Sequence, residues 1–549
     1  MCDKHTSGIH QKAQQHLKKR LGATLEHIAE HEREHRNWSR RDFVQMTGLA
    51  SLGAALSLGA SKVAPFAPNA LLNGLNAAEC GDRVLVLIRL KGGNDGLNMV
   101  IQRNNDEYYN IRPNIAIPES GLWGLSPDIG MPNEMLALQN LWEDGHMRVI
   151  HNVGYPDANY SHFRSSDIWA SASDSNEIVG TGWIGRWLDN EYMAFNSAPP
   201  TIPPALEIGV QTNMIFRAFG GSMALAISNP QEFYQLAQTG ELYDTSQLGN
   251  DPNQQELSYV RGIANSAFRY AETIRTAYNG GINEANYPDN GLAERMSIVA
   301  RLIKGRLGSK IYMVSIDGFD THAEQLNSHP ILLNRVAESV AAFFQDLGEQ
   351  SQNVLAMTFS EFGRTIFENG SLGTDHGTGS PMLVFSGGLE GNGFHGTPAD
   401  LVNVDQYGDP VYSVDFRTAY ATVLQNWLCV HPDVVDNVLG QPFNRIETLL
   451  PPSSPPSGNE DRATLLGHNP DPNQAGRIQI KFAVKVRGAV RIQILNTAGQ
   501  PLRTLVNAFH ERGSYTFGFS PAQFFLGPGE YIYRLEAGGK AQSRVMGIF

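Results

Sequence analysis

The chain has 549 residues, with 42 Lys and Arg against 55 Asp and Glu, a net charge of -13 at pH 7. That balance excludes a nucleic-acid binder working by phosphate neutralisation, and the length allows one large domain plus a small one. The three cysteines, Cys2, Cys80 and Cys429, exclude a disulfide framework and a zinc-thiolate site, and Cys429 reads as a small buried hydrophobe.

The chain opens on a polar leader, Met1 to Trp38, with His5, His10, His16, His27, His31 and His35 at irregular spacing. It reads as a solvated n-region rather than a metal tract. Ser39-Arg40-Arg41-Asp42-Phe43-Val44-Gln45 follows, and then an apolar run rich in Gly and Ser. The run is shorter than the roughly 20 apolar residues that span a bilayer. The pattern is that of a twin-arginine signal, which exports proteins already folded, often around an inserted metal. Residues 1–79 are therefore set apart as a leader, with no transmembrane anchor expected in the mature protein.

From Arg83 the pattern becomes β/α. Val84 to Leu90, Met147 to Ile150, Ile311 to Ile316, Val354 to Phe359 and Met382 to Phe385 are continuous apolar runs, the signature of buried parallel strands. Helical periodicity fills the gaps, notably from about Leu257 to Leu307 and from Pro330 to Leu347. The expectation is an α/β domain over 83–450, its mostly parallel sheet covered by helices on both faces. Ligands of such sheets bind beyond the carboxyl ends of the strands.

Polar clusters stand at those ends. Gly92-Gly93-Asn94-Asp95-Gly96 follows the first strand, and Asp95 offers a hard oxygen ligand, although Asn-Asp-Gly is also an ordinary turn. Asp317-Gly318-Phe319-Asp320-Thr321-His322 supplies two carboxylates and an imidazole suited to a divalent metal. Ser360-Glu361-Phe362-Gly363-Arg364 pairs the metal-binding potential of Glu361 with an Arg364 able to clamp an oxyanion. Thr374-Asp375-His376-Gly377 enters a strand rather than leaving one. Near Asn159-Tyr160-Ser161-His162, Ser161 is the candidate nucleophile, while His162 would bind metal or steady the leaving group. The competing reading makes these serines helix caps.

Taken in order, Arg89 to Asn98, Ser161-His162-Phe163, Gly182 to Arg186, Asp317 to His322, Phe359 to Arg364 and Thr374 to Gly377 resemble an uncharacterised family of twin-arginine-exported bacterial proteins, domain of unknown function 1501. The resemblance runs from about Arg83 to Leu450 and implies an alkaline-phosphatase-like fold in the superfamily of phosphatases and sulfatases. Asp95 then matches a first-strand metal ligand. Asp320 and His322 look similar to central ligands, with Asp317 as substitute for Asp320, and His376 looks like the last histidine. Glu361-Phe362 occupies the place of an Asp-His pair, so one imidazole is missing. No Cys/Ser-x-Pro-x-Arg sequence occurs, which argues against a formylglycine sulfatase.

Residues 451–468 read as a Pro/Ser-rich linker, and 469–549 alternate apolar with polar residues as half-buried antiparallel strands do. A small all-β, Ig-like sandwich is expected there. Leu495 to Leu505, Gly529 to Leu535 and the basic strand near the end resemble a type IX secretion sorting domain. That implies the twin-arginine translocon and then the type IX machinery as partners, with delivery through the periplasm to the cell surface or medium. The combined expectation is an exported hydrolase of phosphate or sulfate esters. Its divalent ion (Zn, Mg, Ca or Mn) would be held among Asp95, Asp317, Asp320, His322, Glu361, Asp375 and His376, with Ser161, His162 and Arg364 catalytic. The alternative is a non-catalytic surface protein binding a glycan or protein partner.

Overall fold

The expected apolar runs assemble into one nine-stranded sheet. The structure, a computed structural model, describes residues 82–450 except 193–194, 196–199, 219–220, 239–264, 266–267, 406 and 431. It also describes 463–548 except 471–476, 486–487, 498, 512, 525 and 538–539. The leader with its arginine pair, and segment 451–462, lie outside the described residues.

The strands in chain order are β1 (Val84–Lys91), β2 (Met147–Gly154), β3 (Ala205–Ile208), β4 (Ala224–Ile227), β5 (Ile311–Asp317), β6 (Val354–Phe359), β7 (Ser380–Phe385), β8 (Gly393–His395) and β9 (Val414–Asp415). Across the sheet the order is β8-β2-β7-β6-β1-β5-β3-β4, with β9 also on β2. β1 pairs in parallel with β5 and β6. β7 is antiparallel to both of its neighbours, β6 and β2, so it alone runs against the rest. Its entry therefore lies at the rim where the other strands end.

Alternation along β1 sorts the core into two halves. Val84, Val86, Ile88 and Leu90 join a cluster with Met296 and Val299 of helix Gly291–Lys304 and Val336, Val340 and Phe343 of helix Gln325–Leu347. Leu85 and Leu87 join the opposite cluster with Ile168 of helix His162–Ser171, Ile184 of helix Trp183–Glu191 and Tyr420 of helix Phe416–Thr422. Both faces are thus covered.

The helical pattern expected over 257–307 is interrupted. Residues 268–280 are helical, and the next helix begins at Gly291, capped by Asn290 through bonds from the Leu292 and Ala293 N–H groups. Gly281 lies in the break, where a Cβ would stand 2.1 Å from the Arg301 carbonyl oxygen. The helix expected from Pro330 begins earlier, at Gln325, and keeps Pro330 inside its first turns. Cys429 is buried as expected, yet it is disulfide-bonded; its partner lies outside the described residues.

The C-terminal residues form two antiparallel sheets with a shared core that includes Ile480, Phe482, Ile492, Ile494 and Leu535. Strand Ala463–Pro470 starts inside the stretch read as linker, because its ladder to Ile478–Val484 makes it part of this module. Among the described residues no helix is long and apolar enough to cross a membrane.

Gly93, at the end of β1, has φ +81° and a would-be Cβ 2.3 Å from the Phe362 ring. Gly93→Ala should therefore destabilise the fold by about 1–3 kcal/mol, read as a lower urea midpoint.

Candidate metal centre

Four loops meet at the rim because the ladders level the strand ends. Lys91 of β1 stands opposite Asp317 of β5, and Arg89 opposite Phe359 of β6. The loops leaving β1, β5 and β6 are joined there by the loop entering β7 and by the start of helix His162–Ser171.

Arg364 ties these loops together. Its guanidinium is buried and donates from Nε to the Gly93 carbonyl (2.7 Å) and from Nη1 to the Thr374 carbonyl (2.8 Å). Nη2 reaches the carbonyls of Gly92 (2.5 Å) and Phe319 (3.0 Å) and Asp320 Oδ1 (2.7 Å). The expected oxyanion clamp is thus committed to protein acceptors. It fixes Asp320 instead.

Three imidazoles converge on Asp320. Its Oδ1 lies 3.1 Å from His322 Nε2 and 3.2 Å from His376 Nε2, and Oδ2 lies 3.4 Å from His162 Nε2. His322 Nε2 and His376 Nε2 are only 2.9 Å apart. Each opposite ring nitrogen has an acceptor. His376 Nδ1 faces the Tyr160 carbonyl at 2.8 Å, His322 Nδ1 faces Asp375 Oδ1 at 3.2 Å, and His162 Nδ1 faces Glu361 Oε1 at 3.2 Å. With Nδ1–H donated outward, the network assigns the Nε2 lone pairs to the inside. Two such lone pairs at 2.9 Å repel unless a proton or a cation lies between them.

In the metal-free protein the imidazoles act instead as donors toward Asp320. Burial alone would raise the Asp320 carboxyl, but hydrogen bonds from His162, His322, His376 and Arg364 outweigh it and hold the group far below the usual carboxylate range. Burial would lower His162, yet Asp320 and Glu361 push it up to about 9. His322 is raised by Asp320 and Asp375. His376 is lowered to about 4, chiefly by burial, so it stays neutral at pH 7.

Glu361 is buried and accepts the Gly92 N–H at 2.9 Å, so it stands behind His162 rather than in front of the cluster. Burial opposes its ionisation, but His162 and then Arg89 hold its carboxyl below the ordinary value. Asp375 likewise backs His322, steadied by Asn369 Nδ2 at 3.1 Å. Phe362 packs on His162 and His376 with ring centroids 4.9 and 4.4 Å apart.

Two expected ligands are placed elsewhere. Asp95 is wholly buried, its Oδ2 held by Arg112 Nη1 (2.7 Å) and Gln325 Nε2 (2.5 Å) and its Oδ1 accepting the Leu97 N–H (3.3 Å). Asp317 is exposed and pairs with Lys91 at 2.6 Å. Ser161 precedes helix His162–Ser171 without capping it, and its buried Oγ has no hydrogen-bond partner among the described residues. It sits between Tyr160 and His162, both of which touch the cluster. Arg112 and the Tyr160 carbonyl went unread in the sequence; no motif marks Arg112, and a backbone acceptor has no side-chain signature.

The donor set suits a divalent ion. His162, Asp320 and His376 each present a ligand atom within 4.8 Å of the others. The spacings of 2.9–3.2 Å around His322 and His376 match neighbouring ligands on one ion at about 2.0–2.1 Å.

A family model described as "Protein of unknown function (DUF1501)" matches residues 146–448. No curated protein matches the sequence. Two solved structures share weak likeness. One is the alkaline phosphatase from the Antarctic bacterium TAB5, at 10% identity, covering 58% of this chain and 95% of that one with a TM-score of 0.24. The other is BT4656 in complex with its substrate D-glucosamine-2-N,6-O-disulfate, at 8% identity, covering 80% and 92% with a TM-score of 0.24. Likeness at that level fixes neither the fold nor the chemistry of this chain.

Two outcomes follow from the charges. Arg112→Ala strands a buried Asp95 and should cost about 3–5 kcal/mol in denaturant unfolding, with Asp95→Asn added to it restoring part of the loss. In the metal-free protein, the raised His162 contributes stability that is whole below about pH 6.5 and is lost as pH rises through about 9. The urea midpoint should fall across that window, and His162→Gln should flatten the fall.

Proposed function

This chain belongs to the DUF1501 family of proteins of unknown function, and from that premise we propose that it is an exported, metal-dependent hydrolase of phosphate or sulfate esters. The observation that carries the reading is the convergence of three imidazole Nε2 atoms on Asp320, each ring held from behind by its own acceptor. His162, Asp320, His322 and His376 would hold the ion. A divalent metal there would supply Lewis acidity toward an ester oxygen and would favour ionisation of a hydroxyl beside it. Arg364 keeps Asp320 ionised and aimed, and Phe362 gives the cluster an apolar wall that limits water behind His162 and His376. Ser161 is the candidate nucleophile, carried between two residues that touch the site. The alkaline-phosphatase-like fold and the Ig-like form of the C-terminal module belong to the same proposal.

Export by the twin-arginine route and sorting by the type IX route rest on the motifs in the leader and the C-terminal strands. One observation favours a non-catalytic, glycan- or protein-binding reading. Asp95 is spent on Arg112, and Phe362 stands where the phosphatase and sulfatase superfamily pattern would place an imidazole, so a two-metal ligand set is not assembled.

Metal analysis of the purified protein, with turnover of aryl phosphates and aryl sulfates, tests the proposal. One ion per chain and turnover of one ester class are expected. Asp320→Ala should weaken the ion by more than about 100-fold, because it removes a ligand rather than an outer partner. A wild-type protein without a divalent ion overturns the metal reading; a bound ion with no turnover of either ester supports the binding-only alternative.

A further inference from the structure

His376 differs from the other two imidazoles in what stands behind it. His162 and His322 lean on carboxylates, whereas His376 leans on a main-chain carbonyl, that of Tyr160. A backbone carbonyl holds a ring only as firmly as its own segment is held, and this segment leads from β2 into the helix His162–Ser171. Its anchor comes from a part of the chain remote in sequence. The Tyr160 hydroxyl donates to Asp409 Oδ2 at 2.7 Å, and Asp409 is wholly buried.

The loop bearing Asp409 is closed on itself. Asp405 Oδ1 accepts the N–H groups of Tyr407 (2.8 Å) and Asp409 (2.9 Å), and the Asp405 N–H returns to the Asp409 carbonyl at 2.9 Å. Val404 and Pro410 form a β-bridge across its base, and Gly408 takes φ +83° at the turn. The loop also grips the other side of the contact, since Thr378 Oγ1 donates to the Pro410 carbonyl. Thr378 directly follows the short strand His376–Gly377. Neighbouring residues of one loop, Asp409 and Pro410, therefore hold both the acceptor Tyr160 and the strand that carries the donor His376.

We infer that Asp409 is a positioning residue for the metal centre, acting through Tyr160 to fix the orientation and tautomer of His376. The inference rests on the proposed metal reading of the site and adds a part of the chain that no sequence motif marks. Tyr160 brings the carboxylate's constraint to the ring through its own backbone. Removing the hydroxyl leaves the carbonyl in place but loosens it, so the Nε2 lone pair of His376 is aimed less well. The loss should appear in metal affinity, in the 10–100-fold range typical of partners behind a ligand.

The test is divalent-metal affinity by competition against a chromophoric chelator, using zinc as the probe, on the full chain. Tyr160→Phe and Asp409→Asn should each weaken zinc about 10-fold or more, a loss larger than the fall in the unfolding midpoint of the metal-free proteins accounts for. Combining the two should cost little beyond either alone, because both break one linkage. Asp409→Glu, which keeps the carboxylate, should recover part of the affinity that Asp409→Asn loses. Wild-type affinity in the folded single variants, with zinc bound by the wild type, overturns the inference and leaves the metal site standing. Equal losses of metal-free stability and affinity would assign the contact to the fold alone and also overturn it. Absence of zinc binding by the wild type overturns the site reading itself, and the inference with it.

Discussion

The geometry of the strand ends depends on one buried cation. Arg364 has no route to water, so its N–H groups must find acceptors in the protein or impose a large desolvation cost. They find four main-chain carbonyls from the loops after β1, after β5 and before β7, together with the carboxylate of Asp320. Apart from the two-residue pairing of Gly363–Arg364 with His376–Gly377, no ladder among the described residues holds these loops. The guanidinium stands in for a ladder with its fixed fork, and the place of Asp320 follows from it.

Around that fixed carboxylate the remaining groups sort by distance from the centre. The imidazoles stand closest, and Glu361, Asp375 and the Tyr160 carbonyl stand behind them. Acids placed outside the ring of histidines raise the basicity of the imidazoles and select their tautomer. The apolar component is equally specific. Phe362 packs against two of the imidazoles, and it has room only because Gly93 lacks a side chain where the Phe362 ring approaches. Phe362 thus makes a wall at a position where the sequence resemblance implied a ligand.

Much of this was legible in the chain. Runs such as Val84 to Leu90 identify buried strands because both faces of a parallel strand need apolar cover, and the two halves of the core confirm it. The acid and histidine clusters were legible because ligands of α/β sheets gather at strand ends. The pattern failed where local and distant partners compete. Asp95 has the look of a ligand, but Arg112 on a neighbouring segment claims it, and nothing in their spacing signals the pair. The helical period over 257–307 likewise hid the break at Gly281, where the backbone passes against Arg301. The disulfide at Cys429 was missed because a cysteine in an apolar run looks the same whether or not it is bonded.

What the sequence by itself determined is the inventory and its address along the chain. Strand periodicity, the glycines at the strand ends and the acid and histidine clusters are local properties, readable over a few residues. The tertiary structure decided which clusters meet and which face each group turns inward. β7 runs against its neighbours, and so brings His376 to the rim where Asp320 and Glu361 already stand. Whether a carboxylate binds, backs a histidine or pairs with an arginine depends on Coulomb and hydrogen-bond energies that fall off within a few ångströms. Those distances exist only after the chain has closed contacts hundreds of residues apart, as between Tyr160 and Asp409.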